Sequence, residues 1–490
     1  MPLRPVNRDQ AWLLPPTLDD LVPEDHPSRF VAAFVDGLDR IGWAGMEIDV
    51  DGDPLGAPAY HPRALLSVWL YGFMTGVRSS RKLEAACRDQ IPYLWLTGWQ
   101  HPDHNTLWRF YQAHRSAMRS LLKRTVRTAV EVRLVDLVVQ ALDGTKIAAN
   151  AAGDQTYDMA MLERLLAKTV GAIGDLEAHD PPPPRLPAEL QQAQVLRERI
   201  QHAMNRLAQD NRLTRVNLTD NDAQSMKGRQ GIMPGYNAQA MASPVVQSSG
   251  NGMLITAADV VNSAADSGQL VPMLEQAEEM IGEPVPVTLA DGGYHTAANL
   301  ASGEQRGDLF VMPERYHPGV QGPYFKDRFV YDAGTDTYLC PEGQRLPFRG
   351  LRSKNGKVQG PFRVYRASRT VCRACPAYGV CTRDVHSGRA SWIGPTDALL
   401  RQHRHWMTTE RARHLYARRK GLIEPIFGIL KEQLGARRFL LRGLVNVRAE
   451  FTLLATAFHL RTLWRVWRYL LRPPATETTH LVSGPLPIPV

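Results

Sequence analysis

Two aspartates follow strand-like apolar runs and precede glycine, a setting in which a carboxylate can meet a ligand. Asp143 ends the β-branched run at 134–142, and Asp291 ends a second run at 285–290. The backbone of a strand holds such a carboxylate firmly, and the glycines after it leave room for a ligand to approach. Carboxylate oxygens are the ligands that Mg²⁺ prefers, so the sequence predicts Asp143 and Asp291 as ligands of Mg²⁺ or Mn²⁺.

A third carboxylate lies in a basic helical segment. Glu424 has Lys420 one turn before it and Lys431 two turns after it, so the three side chains are expected near one helix face. Together with the two aspartates, Glu424 would complete a two-metal site for in-line phosphoryl transfer. The alternative is a surface helix with ordinary i, i+4 charge pairs. Four further aspartates are interpreted as helix caps or surface charges: Asp220, Asp222, Asp259 and Asp266.

Four of the five cysteines lie in one stretch of the sequence. Cys340 begins a turn-like Cys-Pro-Glu-Gly, Cys372 and Cys375 form a Cys-x-x-Cys pair, and Cys381 follows. Four thiolates could close a tetrahedral structural zinc site, which would have no open position for catalysis. Four reduced structural thiols are the alternative, and the sequence leaves both open. Cys87 stands alone in helical sequence and is predicted to be a core residue.

Composition limits the class of protein. The chain has 490 residues, 44% hydrophobic and 22% charged, which is typical of a globular protein with about three domains. We expect no membrane span, no export signal and no disulfide scaffold, and hence a cytoplasmic location. The net charge is +9, and residues 401–480 hold 16 Lys and Arg against 5 Glu. This block indicates a polyanionic partner such as nucleic acid, or else a solvated arginine-rich face.

Hydrophobic periodicity divides the chain into segments. Residues 1–130 have short helices and tight polar turns, typical of a helix-turn-helix DNA reader or of an all-helical packing domain. The predicted segments are an N-terminal helical DNA-binding domain (1–130), the first part of an α/β core (131–155), a helical hairpin insertion (156–213), the second part of the core (214–305), a β-rich Cys-containing insertion (306–400), a core helix with Glu424 and a C-terminal helix (401–472), and a disordered tail (473–490).

Several motifs together resemble one family. They are Leu-Asp-Gly-Thr-Lys at 142–146, Asp-Ala at 222–223, Pro-Gly-Tyr-Asn-Ala-Gln at 234–239, Ala-Asp-Gly-Gly-Tyr at 290–294, Ile-Glu-Pro-Ile-Phe-Gly at 423–428 through Lys431, and Tyr-His-Pro-Arg at 60–63. Over nearly its whole length the chain resembles DDE transposases of bacterial insertion sequences with a Tyr-Arg-Glu-Lys signature and an N-terminal helical transposase domain. It looks most like the insertion-sequence family numbered eleven eighty-two. Lys431 fits the signature spacing from Glu424, whereas Tyr416 and Arg419 lie one position too early.

The resemblance implies an α/β fold with an RNase H-like catalytic core, in which Asp143, Asp291 and Glu424 hold Mg²⁺ on the first strand, the fourth strand and a later helix. It implies binding of terminal inverted repeats, cleavage at the element ends and joining of the 3′ ends to target DNA by a homodimer or larger assembly. The candidate DNA-contacting residues are Lys146, Arg419, Lys420, Lys431, Arg437 and Arg438. Two alternatives stay open: a catalytically inactive or domesticated transposase-derived DNA-binding protein, and an RNase H-like nuclease without strand transfer.

Overall fold

A computed structural model of the protein describes residues 17–51, 59–179, 188–211, 213–228, 231–246, 252–314, 322–353, 361–384 and 386–471. These residues fall into two compact units. The first unit draws on 1–265, 272–285 and 420–490, and the second on 266–271 and 286–419. Along the described ranges, no helix is long and apolar enough to cross a membrane. The predicted tail at 473–490 and the proline run at 181–184 lie outside the described residues.

Helices make up the beginning of the first unit, as the periodicity predicts. They are α1 (Pro27–Asp36), α2 (Arg40–Gly45), α3 (Pro62–Thr75), α4 (Ser80–Asp89), α5 (Ile91–Thr97), α6 (His104–His114) and α7 (Arg119–Glu131). Helix α3 is central, because every residue from 65 to 74 is buried. A single helix predicted over 105–122 is instead divided into α6 and α7. The chain turns there at Arg115, whose Nε donates to Asn446 Oδ1 at 2.8 Å.

An antiparallel sheet follows in the same unit, with a helical hairpin between its first two strands. The elements are β1 (Val139–Ala148), β2 (Thr156–Tyr157), α8 (Met159–His179), α9 (Ala188–Gln209), β3 (Val216–Asn217), β4 (Gln224–Gly228), β5 (Gly231–Pro244), β6 (Met253–Val261) and α10 (Leu270–Ile281). Strand β5 is central, with β1 along one edge and β6 along the other. The expectation that Asp143 ends a strand is wrong. It pairs with Ala240 in the middle of β1, because β5 is long enough to continue the pairing to Ala148.

The second unit combines a parallel strand pair with a separate antiparallel sheet. Its elements are β7 (Val287–Leu289), α11 (Ala297–Arg306), β8 (Leu309–Val311), β9 (Val330–Asp332), β10 (Thr337–Leu339), β11 (Arg345–Arg352), β12 (Phe362–Arg366), α12 (Arg369–Arg373), β13 (Ala390–Ile393) and α13 (Asp397–Met407). Strands β7 and β8 are parallel, which requires a crossover, and α11 provides it. The order of the antiparallel sheet is β13-β12-β11-β10-β9. A small core of Phe329, Leu346 and Tyr365 lies against it, with Cys372.

Two long helices complete the described chain. Helix α14 (Glu410–Gly428) starts in the second unit and ends in the first, and α15 (Leu444–Leu471) belongs wholly to the first. The bounds of α15 are those that the sequence predicts. Helix α15 packs on α3, α7 and β6, so the C-terminal helix and the N-terminal helices share one core. The predicted α/β class, with an N-terminal helical part, a helical insertion and a β-rich cysteine-containing part, is therefore confirmed.

One buried carboxylate on α15 is fully engaged. Glu450 accepts from Arg78 at 2.6 Å and from the backbone amides of Leu440 and Leu441 at 3.0 Å each. The two charged side chains are only 6% and 2% exposed, for Arg78 and Glu450 respectively. The Arg78 guanidinium also donates to Gly435 O. Burial raises the pKa of Glu450, and the neighbouring guanidinium opposes that shift.

Removing either member of this pair should destabilise the first unit strongly. Breaking a buried ion pair leaves an uncompensated charge, which costs about 3–5 kcal/mol. We therefore expect Arg78→Met to lower the free energy of unfolding by about that amount in urea denaturation. The control is Arg88→Ala, which removes an exposed i, i+4 partner of Glu84 and should change stability little. Equal effects of the two variants would contradict the importance of the buried pair.

A buried histidine on α15 joins three elements. The Ile255 amide of β6 donates to His459 Nε2 at 2.9 Å, so Nδ1 carries the proton and donates to Thr125 Oγ1 at 2.8 Å. The Thr125 hydroxyl in turn donates to Leu122 O at 2.8 Å. The bond from Ile255 requires an unprotonated Nε2 and hence the neutral ring. Burial accordingly lowers the pKa of His459 to about 3.

This histidine should make folding sensitive to acid. Because the folded pKa lies below the unfolded value of about 6.5, the contribution to stability is complete above pH 6.5 and is lost as the pH falls towards 3. We expect His459→Gln to be less stable than the wild type at pH 7, with the difference shrinking by pH 4. Thermal denaturation over that range measures it, with the exposed-site variant His386→Gln as control. A difference that does not change with pH would contradict the assignment.

Candidate active site and basic groove

Strand β1 holds Asp143 and receives the lysine of the predicted signature. The half-buried Asp143 accepts a hydrogen bond from the Gly144 amide at 2.8 Å. Thr145, two residues on, faces the same side of the strand. Lys431 Nζ donates to Thr145 Oγ1 at 2.5 Å and to Lys146 O at 3.3 Å. The ammonium group of Lys431 therefore lies on the strand face that bears Asp143.

Glu424 lies in α14 immediately before a helical proline. It is exposed, whereas Ile423 and Ile426 beside it are buried, so the helix turns this carboxylate to the surface. After Gly428 the helix widens into a π-helical turn at Ile429–Gln433. Such turns are frequent at functional sites. The turn interrupts the regular helical phase assumed for Glu424 and Lys431, and it carries Lys431 to β1.

Asp291 lies directly beyond β7 in the second unit, and a glycine keeps the space beside it open. Its Oδ1 accepts from the Gly293 amide at 2.7 Å. A Cβ atom on Gly293 would lie 2.8 Å from Asp291 Oδ1 and 3.5 Å from Asp266 Oδ2. Asp266, interpreted from the sequence as a cap or surface charge, thus has its carboxylate near that of Asp291. Nothing in the local sequence around Asp266 indicates this proximity.

The carboxylates supply the oxygen donors that Mg²⁺ prefers. Asp143 and Glu424 belong to the first unit, and Asp291 belongs to the second. Each unit taken by itself therefore contains only part of the predicted ligand set. Within the described ranges, no three His, Cys, Asp or Glu side chains are arranged so that they could hold a metal ion.

Arginines that follow the π-helical turn lie beside the end of β1. The Phe439 amide donates to Ala148 O at 2.9 Å, and Ala148 forms a β-bridge with Arg438. Arg437 is exposed and pairs with Glu432 at 2.5 Å. Arg438 also lines an open groove of about 740 Å³. The other groove residues include Arg442, Asn150, Gly153, Thr219 and Ile232.

The remaining two residues of the predicted DNA-contacting set differ in exposure. Lys420 is exposed on α14. Arg419 is only 7% exposed, and its guanidinium lies 5.9 Å from the centre of the Tyr416 ring, a cation–π contact. The two residues that lie one position too early in the signature thus contact each other. A DNA contact by Arg419 stays a prediction.

Two aspartates outside the predicted triad hold the start of α15. Asp222 Oδ2 accepts from the Leu444 amide at 2.8 Å, so its interpretation as a helix cap is confirmed. Asp220 is buried instead of capping a helix or lying on the surface. It accepts from the Tyr236 hydroxyl at 2.8 Å and from the Gly443 amide at 3.2 Å, and burial raises its pKa. The motifs at 222–223 and 234–239 therefore serve the fold here.

The clustered cysteines meet at one small cavity of about 20 Å³ in the second unit. All four line it: Cys340, Cys372, Cys375 and Cys381. The Gln344 amide donates to Cys340 Sγ and the Arg389 amide to Cys372 Sγ, both at 3.3 Å. Burial raises the pKa of Cys381; nearby Arg389 opposes this, and the other three sulfurs add to it.

Cys87, in contrast, is a core residue. It lies in α4 and is fully buried, and burial raises the pKa of its thiol to about 12. The prediction for Cys87 is thus confirmed.

Two family models match the chain. A transposase domain (DUF772) matches residues 16–113, and a transposase DDE domain matches residues 339–464, which contain Glu424, Lys431 and the four clustered cysteines. No curated protein sequence matches the chain. The two matches support a DNA-processing enzyme of the DDE class, namely a DDE transposase of an insertion sequence.

The DDE match also implies an RNase H-like core. The order of elements along the chain agrees with it: three strands (β1, β5 and β6), helix α10, strand β7, helix α11 and strand β8. Membership in the family numbered eleven eighty-two stays a prediction.

Proposed function

We propose that this transposase binds the terminal inverted repeats of its element, cleaves DNA at the element ends and joins the 3′ ends to target DNA. The contact between Lys431 and Thr145 carries the proposal. Through this contact Lys431, which lies in the segment that matches the DDE domain, is on the face of β1 that bears Asp143. A phosphate held by that lysine would lie near the first carboxylate.

Asp143, Asp291 and Glu424 are the proposed ligands of Mg²⁺ or Mn²⁺. These oxygens would hold a divalent metal, which would supply a lowered pKa for an attacking water and charge stabilisation for the leaving 3′ oxygen. The chain order supports the assignment, since Asp143 is on the first core strand, Asp291 follows the fourth, and Glu424 is on a later helix. Gly293 supports it too, because any larger side chain there would crowd Asp291.

The basic residues would hold the DNA backbone. Lys146 is a residue of β1, and Lys431 contacts that strand through Thr145. Arg438 lines the groove at the end of the strand. The exposed Lys420 and Arg437 extend the proposed set. Such phosphate contacts release counterions, so binding should weaken steeply with salt. Arg419 belonged to the same predicted set, but its burial against Tyr416 fits support of the helix better than a phosphate contact.

Joining two element ends requires both to be held at once, so we propose a homodimer or larger assembly on DNA. The helical segment 1–130 is the proposed binding domain for the ends. Cleavage and joining of the element ends would take place on chromosomal DNA in the bacterial cytoplasm. A DNA-binding protein without catalysis and a nuclease without strand transfer are the competing functions, and both are distinguished below.

Loss of any proposed metal ligand should abolish cleavage while DNA binding persists. The substrate is linear DNA that carries the flanking element ends, with Mg²⁺. We expect Asp143→Asn, Asp291→Asn and Glu424→Gln each to cut at least roughly 100- to 1,000-fold more slowly, as when a group that stabilises transition-state charge is removed. Glu163→Gln, at an exposed position on α8, is the matched control and should cut normally.

Three other outcomes would contradict parts of the proposal. A wild type that binds the ends but never cuts them is a DNA-binding protein. A wild type that cuts but does not join a pre-cut 3′ end to target DNA is a nuclease. A variant that cuts at the normal rate shows that its residue is not a ligand.

We also propose that the four clustered cysteines hold a structural zinc ion. Backbone amides donate to two of the sulfurs, those of Cys340 and Cys372, and the turn at Cys340 closes through Gly343, whose φ is +74°. The cavity is of the size of a single water molecule or ion. Zinc would supply the positive charge that four neighbouring sulfurs lack, and the sulfurs would have to draw together around it.

Elemental analysis of the purified protein tests the zinc site. We expect about one zinc per chain in the wild type and in Cys87→Ala, and loss of zinc in Cys375→Ser. A chelator should lower the unfolding temperature of the wild type but not that of Cys375→Ser, since metal binding stabilises only the fold that holds it. Wild-type protein without zinc that unfolds at the same temperature with and without chelator would favour four reduced thiols.

A further inference from the structure

Helix α6 presents one face of polar residues to the surface. Asn105, Trp108, Arg109, Gln112 and Ala113 are exposed. At 100° per residue, Asn105, Arg109 and Gln112 fall within one narrow arc, and Trp108 and Ala113 flank it on either side. Three long or amide-bearing donors thus project together from about two turns of helix.

The opposite face of α6 is held rigidly. Leu107 and Tyr111 are buried. Trp69 of α3 donates its indole N–H to Leu107 O at 3.0 Å, and its ring stacks on that of Tyr111 at 4.5 Å between centroids. The exposed side chains therefore project from a fixed backbone.

The start of α6 is locked to α4. Glu84 of α4 accepts from the His104 amide at 3.2 Å and from His104 Nδ1 at 2.7 Å. Asp103 caps the helix through the Thr106 amide at 2.6 Å. Helix α4 exposes Arg81 and Lys82 at its own start. Helix α4, with its basic start, therefore packs on helix α6, which exposes amides and an arginine; the short helix α5 joins them.

The chemistry of this face matches the edges of base pairs. In the major groove, Arg donates two hydrogen bonds to guanine, and Asn or Gln makes a bidentate pair with adenine. Residues 105–130 contain six Lys and Arg and no Asp or Glu, so the field around α6 favours a polyanion. In helix-turn-helix proteins the second helix enters the major groove while the first crosses the backbone.

We propose that α6 enters the major groove of duplex DNA and that Asn105, Arg109 and Gln112 read its sequence, while Arg81 and Lys82 contact phosphates. This inference rests on the proposed function, because it names the surface that recognises the element ends. It goes further in assigning sequence reading to one helix face and backbone contact to another helix.

Selection of binding sites from a pool of random duplex DNA, with the full chain and without Mg²⁺, tests the assignment. We expect the wild type to enrich one motif that also occurs in the element ends. Arg109→Ala should lose preference at one G·C pair, and Asn105→Ala and Gln112→Ala at A·T pairs. Each should bind the selected duplex about 5- to 150-fold more weakly and random duplex almost unchanged.

Matched controls separate reading from general attraction. Arg164→Ala on α8 and Gln192→Ala on α9 replace the same residue types at exposed positions and should keep the motif and the affinity. Arg81→Ala and Lys82→Ala should weaken binding to all duplexes alike and each reduce the slope of log affinity against log salt by about one.

The outcomes distinguish this inference from the proposed catalysis. If the wild type selects a motif that the three α6 variants still select in full, α6 is not the reader, whatever the cleavage assay gives. If no motif is enriched, sequence reading by this face is also wrong. If the α6 variants lose the motif and the wild-type protein does not cut DNA, sequence reading by α6 is supported and the catalytic proposal is overturned.

Discussion

The first unit depends on the buried carboxylate of Glu450. A charge in that position needs compensation, and it receives it from Arg78 and from two backbone amides. Arg78 follows α3, and its guanidinium also donates to the carbonyls of Gly435 and Arg438. The N-terminal helices, the segment after the π-helical turn and α15 are thereby joined at one point. Gly76 nearby tolerates no side chain without strain, since its φ is +83° and an added Cβ would lie 3.0 Å from Gln433 O.

Other polar contacts fix α15 along its length. The Asp222 carboxylate caps its first turn, and His459 near its middle bonds to β6 and α7. Apolar packing alone would let a long helix slide by a turn at small cost, whereas each buried polar group is satisfied in only one register. The polar groups on α15 thus specify the position that its leucines and phenylalanines stabilise.

Sequence patterns predict the helices well, because an apolar face repeats every three or four residues. Thus α15 has its predicted bounds. Contacts between residues that are distant in the chain leave no such periodic pattern in the sequence. Asp143 lies inside a strand because β5, about 90 residues later in the chain, pairs with β1 beyond that residue. The local sequence around Arg78, Glu450 and His459 likewise does not indicate that these polar side chains are buried with partners. Motif spacing selects the candidate side chains, but it does not indicate that Lys431 reaches β1 through a widened turn.

A continuous set of contacts runs through the first unit from α6 to the strand of Asp143. Trp69 of α3 holds α6, Arg78 after α3 holds the chain at Gly435 and Arg438, and Phe439 bonds to Ala148 at the end of β1. Each of these contacts is a buried ring contact or a hydrogen bond to the backbone, so together they hold α6 and β1 in one rigidly packed unit. A transposase must cut at a fixed distance from the sequence that it reads. If α6 reads a DNA end as proposed, the packing of the first unit would set the distance from that sequence to β1 and Lys431.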